Sequence, residues 1–414
     1  MIGDEDFGGV QRAVRRLAAR VHDEAPVRER DHLGVADVVP DLLATGIGRL
    51  RVPRRYGGIG TSVAGSWELS WSSWLRPSPI SSRSFVGISD SWSSCCSART
   101  IRLPRELLAA AGRGEFFGPA ASSKGGPSAP TDGEPRSAAL ALTDGVWLHD
   151  DGAGLRLSGT KYYSTGSLYA DWINVLVPHE GGFVEVVVSR TDPGVSVVDD
   201  WNGFGQRMTA SGTATFEAVA VREDYVLPHR DAEVAELLGA FYQFIHSATQ
   251  AGIAHRASQD VARLVRGRRR SYPLAADPEP RHDAQVLGVV GEISTRAFTA
   301  RATVSALGAT IDDYLVSGGD LRPEALKHVV VESAQTQVVN SRLAGEVGWL
   351  LFDAASASAL DLDLALDRHW RNARAVSSHN PSIYKARLVG DFAVNGTLPS
   401  PAFAASPVPE RAGV

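Results

Sequence analysis

The spacing of apolar residues along this chain changes period twice, an uncommon order that narrows the fold sharply. Val10, Val14, Leu17 and Val21 recur at intervals of three or four with arginines between them, which predicts an amphipathic helix. A second apolar segment from Leu42 to Leu50 leads into Val52-Pro53-Arg54-Arg55-Tyr56-Gly57-Gly58, where a proline and paired glycines mark a turn. From about Gly118 to Leu227 the pattern becomes β-branched runs such as Ile173 to Val177 and Val184 to Val188, separated by turns such as Asp192-Pro193-Gly194. After Pro228 the helical period returns: Ile253, Ala257, Val261 and Val265 fall four apart, and further helices are predicted over 283–317 and 322–358.

That order predicts an α+β multidomain chain: an N-terminal α-helical domain over 1–117, a central β-barrel or sandwich domain over 118–229, a C-terminal antiparallel four-helix bundle over 230–398, and a Pro-, Ala- and Ser-rich tail over 399–414. At 414 residues and 43% hydrophobic, the chain exceeds what one core usually holds together. Its net charge of -5, with both signs dispersed, supplies neither a basic stripe for nucleic acid nor a polybasic membrane anchor, so a small-molecule partner is expected. No apolar run approaches a membrane span, the N-terminus lacks the order of a secretory signal, and Cys95 and Cys96, being adjacent, cannot staple distant segments. A soluble protein of the reducing cytoplasm is expected.

Three segments carry the chemistry. The first is Gly159-Thr160-Lys161-Tyr162-Tyr163-Ser164-Thr165-Gly166, and the second is Gly205-Gln206-Arg207-Met208-Thr209-Ala210-Ser211-Gly212, preceded by Trp201. The third is Asp367-Arg368-His369-Trp370-Arg371-Asn372-Ala373-Arg374, followed by Ser378-His379-Asn380-Pro381. By residue type alone, Thr165-Gly166 is an ordinary hairpin turn and Trp201 is one more buried tryptophan among nine. His379 is a structural histidine or a proton donor near neutral pH. Arg368, Arg371 and Arg374 drift about 60° around a helix at each step, suiting a phosphate, an interface or a solvated face.

In this order the segments resemble the flavin-dependent monooxygenase branch of the acyl-CoA dehydrogenase superfamily, the group of dibenzothiophene monooxygenase, over roughly Gly118 to Pro399. The resemblance implies reduced FMN delivered by a separate NAD(P)H-dependent flavin reductase, because no Gly-x-Gly-x-x-Gly fingerprint is present. It implies reaction with O2 through a C4a-hydroperoxyflavin that oxygenates a small organic substrate, a sulfur compound among the options, and it implies a homotetramer. It places Thr165, by its hydroxyl or its backbone N–H, at the N5 side of the flavin, with Tyr163, Gly166, Ser123 and Trp201 about the cofactor. It brings Arg270 from a neighbouring subunit to the phosphate, and it makes His379 the group that supports the oxygen adduct. The alternative is an FAD-dependent acyl-CoA dehydrogenase, whose carboxylate base has no counterpart here, since no Asp or Glu occurs between Asp367 and Asp391.

Three stretches depart from the family. Ser66 to Arg99, crowded with Ser, Trp, Pro, Cys and Arg, stands where relatives have a hydrophobic helix. Reading each codon one base earlier turns TCN serine codons into NTC, which encode Leu, Ile, Val or Phe, so a shifted frame is the expectation for this stretch, and an inactive chain is a further alternative. Gly118 to Ser123 lacks the asparagine that relatives carry near Pro119 or Ala120, and Asp353 to Ser358 lacks the paired glycines, or the arginine near Ser358, expected for close phosphate approach.

Overall fold

The computed structural model describes residues 3–67, 104–123, 145–179, 182–227, 232–317 and 323–397. The N-terminal part is helical: α1 (Gly3–Arg30), α2 (Val39–Ala44), a helical turn at 63–67 and α3 (Arg105–Arg113). Val10, Val14, Leu17 and Val21 are all buried on one face of α1, against Val39, Leu42, Ile47 and Leu50, and Met208 from the β-rich part closes the same cluster.

The central part is a sandwich. One sheet runs β1 (Phe117–Ala120), β4 (Trp172–His179), β5 (Gly182–Ser189), β8 (Val226–Leu227), with β1 parallel to β4 and the rest antiparallel. The other runs β2 (Val146–Asp150), β3 (Leu155–Lys161), β7 (Thr213–Ala220), β6 (Val195–Val198), all antiparallel. Strand β4 buries every second residue, so Ile173, Val175 and Val177 face Leu157, Ala214, Phe216 and Val219 of the second sheet in one core.

The C-terminal part is a bundle of long helices, α4 (Ala232–Gly267), α5 (Ala284–Val316) and α6 (Pro323–Ala355), joined by the shorter α7 (Arg368–Ser377) and α8 (Ser382–Asn395). Ile253, Ala257, Val261 and Val265 form the α4 stripe that packs on Ile293, Val347 and Leu351. Asp283 caps α5 by accepting from the backbone N–H of Gln285 and Val286, both at 3.0 Å. Among the described residues, no helix is long and apolar enough to cross a membrane.

The helical turn at 63–67 is docked on the bundle by a carboxylate from another element. Asp312 accepts from the backbone N–H of Val63 at 2.6 Å and of Ala64 at 2.7 Å, satisfying two donors of the helix start. Trp67 is buried edge-on to Phe244 and donates from its indole N–H to Ser305 Oγ at 2.9 Å. Ser66 and Trp67, read from sequence as the start of an irregular stretch, therefore belong to a packed helical turn. The remainder of that stretch, together with Cys95, Cys96 and the tail, lies outside the described residues.

Candidate active site

Between β3 and β4 the chain makes a tight turn at 163–166. Tyr163 and Gly166 take positive φ, 57° and 78°, and the strain of the non-glycine position is held by bonds to the facing loop. Ser164 N–H donates to Gly212 O at 3.0 Å and Gly166 N–H to Thr209 O at 3.0 Å. Thr165 N–H donates to Tyr163 O at 2.8 Å. Of the two groups that sequence offered at Thr165, the backbone N–H is thus committed inside the turn, and the hydroxyl is the one not bound to the backbone N–H network. Thr165 Oγ1 lies 2.8 Å from Ser211 Oγ and 3.3 Å from Tyr163 O, and Ser211 Oγ lies 2.7 Å from Thr209 Oγ1.

Aromatic rings collect beside the turn. Tyr163 meets the edge of Trp201 at 5.9 Å, and the Trp201 indole N–H donates to Gly205 O at 3.0 Å, fixing the ring. Phe204 stacks on Trp370 of α7 at 5.7 Å. Tyr163, Phe204 and Trp370 remain 49%, 50% and 42% exposed, an apolar surface of the kind that marks a binding site. Ser123 Oγ, Ser164 Oγ and Gln206 Oε1 are buried here with no hydrogen-bond partner among the described residues. Buried polar atoms are ordinarily paired. Unspent hydrogen-bonding capacity beside uncovered rings fits a bound flat heteroaromatic group.

Helix α7 is the point where the parts of the chain meet. Gly205 approaches it so closely that a Cβ would fall 2.2 Å from Arg371 O. Asn372 Oδ1 accepts from Gln206 N–H at 2.5 Å, while Asn372 Nδ2 donates to buried Glu29 of α1 at 2.9 Å. Arg371 donates to Asp367 at 2.8 Å, Phe204 O at 2.8 Å and Glu29 at 3.3 Å.

Arg368 is neither a solvated nor a phosphate-facing residue. It is buried, donating to Asp260 of α4 at 2.6 Å and to the carbonyls of Leu364 and Ala365 at 2.9 Å. Asp260 also accepts from Arg256 and, at 2.9 Å, from His369 Nε2. Burial opposes ionisation of Asp260, but the hydrogen bond from His369 and the neighbouring guanidinium charges outweigh it and hold the carboxyl well below the usual carboxylate range. Burial and the Arg368 charge push His369 down to about 4, so at neutral pH it is an uncharged donor to Asp260.

His379 is exposed in the turn between α7 and α8, and its ring lies 4.2 Å from that of buried His246 on α4. Gln337 of α6 pins this turn by donating to Asn380 O at 2.8 Å. Thr165, Gly166, Tyr163 and Trp201 thus come together, Ser123 adjoins them through the Ser122–Tyr162 bridge, and His379 stands on the bundle side. Arg270 is exposed just beyond the end of α4, with no hydrogen bond or ion pair among the described residues.

Asp260, Glu29, Asn372, Gln206 and His246 were not singled out from sequence. Gln206 and Asn372 lie within the quoted segments without having been given a role, and Asp260 left a signal as a carboxylate one residue before Val261 in the apolar stripe of α4.

Near His246, Ser247 is fully buried, and its hydroxyl has no partner among the described residues. Ser247→Ala is expected to stabilise the chain by about 1 kcal/mol by removing an unpaired desolvated group. The denaturant midpoint should rise with an unchanged slope, and a lowered midpoint would show the hydroxyl to be engaged.

Residues 244–381 match the family model described as acyl-CoA dehydrogenase, C-terminal domain. The chain is 25% identical to a dibenzothiophene monooxygenase from Rhodococcus qingshengii over 91% of each chain. It is 26% identical to a probable FMNH2-dependent monooxygenase from Pseudomonas putida over 62% of this chain and 67% of that one. Among solved structures, a methanesulfinate monooxygenase from Pseudomonas fluorescens superposes with a TM-score of 0.82 at 25% identity, covering 95% of this chain and 98% of that one.

Proposed function

The chain has the acyl-CoA dehydrogenase fold and monooxygenases among its relatives, and from that premise we propose that it is the oxygenase of a two-component system. It takes reduced FMN from a separate NAD(P)H-dependent flavin reductase and transfers one atom of O2 to a small organic substrate, the other atom leaving as water with the two electrons and two protons of the reduced flavin. The observation that carries this reading is the turn at 163–166, where a buried hydroxyl, unspent polar atoms and uncovered aromatic faces share one place.

Bound reduced flavin supplies the two electrons that O2 needs to react; the protein supplies position, a dry wall and a proton. Thr165 would meet the ring edge through its hydroxyl, Tyr163, Gly166 and Trp201 would flank it, and Ser123 would offer a further polar atom. His379 gives or takes a proton from the bundle side. Arg270 reaches the phosphate of a cofactor held by a neighbouring copy in a homotetramer. The exposed Phe298, Trp349 and Val394 of the bundle are surface that such an assembly would cover.

The test is anaerobic addition of chemically reduced FMN to the purified chain, followed by rapid mixing with oxygenated buffer. Reoxidation slower than that of free reduced FMN, by about tenfold or more, is expected from a site that excludes water. Reoxidation at the free rate, or reduction of an electron acceptor by an acyl thioester with the chain's own bound FAD, would replace this reading with the dehydrogenase one or with an inactive chain.

A further inference from the structure

A series of hydrogen bonds runs from α1 to Thr165, and the direction of its hydroxyl end is fixed at the Gln206 carbonyl. The Gln206 backbone N–H can only donate, so Asn372 must turn its Oδ1 toward it, at 2.5 Å, and its Nδ2 toward Glu29, at 2.9 Å. Gln206, held at a positive φ of 57°, presents its carbonyl to Thr209 Oγ1 at 2.7 Å. A carbonyl has no hydrogen to give, so Thr209 spends its own there and must accept from Ser211, at 2.7 Å. Ser211, its hydrogen spent, must in turn accept from Thr165, at 2.8 Å. Only this assignment puts a hydrogen into every short contact. Turning the Thr165 hydrogen outward would leave one of the two hydroxyl pairs, at 2.7 or 2.8 Å, as a bare contact between oxygens. The other inward choice, Tyr163 O at 3.3 Å, also consumes the hydrogen inside the protein.

We propose that Thr165 is held as an obligate hydrogen-bond acceptor and that this selects reduced over oxidised flavin. Reduced flavin carries a hydrogen on N5 and donates; oxidised flavin has a lone pair there and would face a second lone pair. Ser211 and Thr209 are positioning residues that carry the polarity set by the Gln206 carbonyl, Asn372 holds the loop that presents it, and Thr165 is the group that reads the redox state. The inference rests on the proposed flavin reading. It explains how a chain that borrows its cofactor favours the charged form and releases the spent one without a moving part.

The experiment compares the binding of chemically reduced FMN under anaerobic conditions with that of oxidised FMN. The wild-type chain is expected to bind the reduced form about tenfold more tightly, the worth of one hydrogen bond exchanged for a lone-pair clash. Thr165→Val, of equal shape but without an acceptor, should bring the ratio near one. Ser211→Ala leaves Tyr163 O, at 3.3 Å, as the remaining inward acceptor, a bond weak enough for the Thr165 hydrogen to turn toward oxidised FMN instead, so the ratio should fall chiefly because oxidised FMN binds better. A merely structural role for Ser211 would weaken both forms together, and that result, or equal wild-type affinity for the two, overturns the inference while leaving the flavin reading in place. Binding of neither form overturns both.

Discussion

Asp260→Ala is expected to destabilise the folded chain by about 3–5 kcal/mol, because it strands buried cations. Arg256 and Arg368 are 2% and 4% exposed, and both donate to this carboxylate. Each was desolvated on folding, and among the described residues Asp260 is the carboxylate hydrogen-bonded to both, with Glu29 and Asp367 acting on Arg368 only through space. The damage should centre on α7, since Asp260 is what joins its first turn to α4, and through α7 on Asn372 and the loop at Gln206. Urea unfolding of the variant beside the wild type measures the cost, and a difference under about 0.5 kcal/mol would show that the cluster contributes nothing net. A pH dependence follows from the same cluster. A histidine whose pKa is lower folded than unfolded binds fewer protons in the folded state, so stability rises with pH between the two values. His369 falls from its ordinary 6.5 to about 4. Its contribution should therefore be complete above about pH 6.5 and be lost progressively as pH falls toward 4, and His369→Gln, which keeps an N–H for Asp260, should remove that part of the slope.

What was legible in the sequence is what depends on neighbours along the chain. The four-residue spacing of Ile253, Ala257, Val261 and Val265 placed the buried stripe of α4, and the β-branched run at Ile173 to Val177 placed a sandwich strand, because local periodicity dictates which side chains share a face. Tyr163, Thr165 and Gly166 were readable together because one tight turn presents them all. Pairings across the chain were not legible. Arg368, Arg371 and Arg374 look equivalent in sequence, yet the drift around the helix buries the first on Asp260, half-buries the second between Asp367 and Glu29, and leaves the third exposed. Glu29 sits in a run of charges that reads as a solvated helix end, and only the fold brings Asn372 to it. Trp67 illustrates the same point from the apolar side: its partners Phe244 and Ser305 are remote in sequence, so its burial could not be read from the serine-rich surroundings.

His379→Ala is expected to lower oxygenated-product turnover by about 10²- to 10³-fold, the usual worth of one positioned proton donor. The structure supplies reasons for this residue beyond its motif. Its turn is anchored by Gln337 through Asn380 O, and its ring lies 4.2 Å from that of His246 while the residue stays exposed. A structural histidine in that position would mainly affect stability, and the turn would keep its anchor at Asn380 without it. A proton donor would instead leave flavin binding and electron consumption largely intact while product formation collapses, the missing oxygen appearing as hydrogen peroxide. The ratio of product to reduced FMN consumed is therefore the decisive quantity. A fall in that ratio at unchanged affinity for reduced FMN supports the proton-donor role, whereas equal losses in flavin binding and turnover, or an unchanged ratio, would assign His379 to the scaffold and move the chemistry to another residue. His246→Phe separates the ring support from the proton: it keeps an aromatic partner beneath His379, so coupling should survive if His379 alone carries the proton.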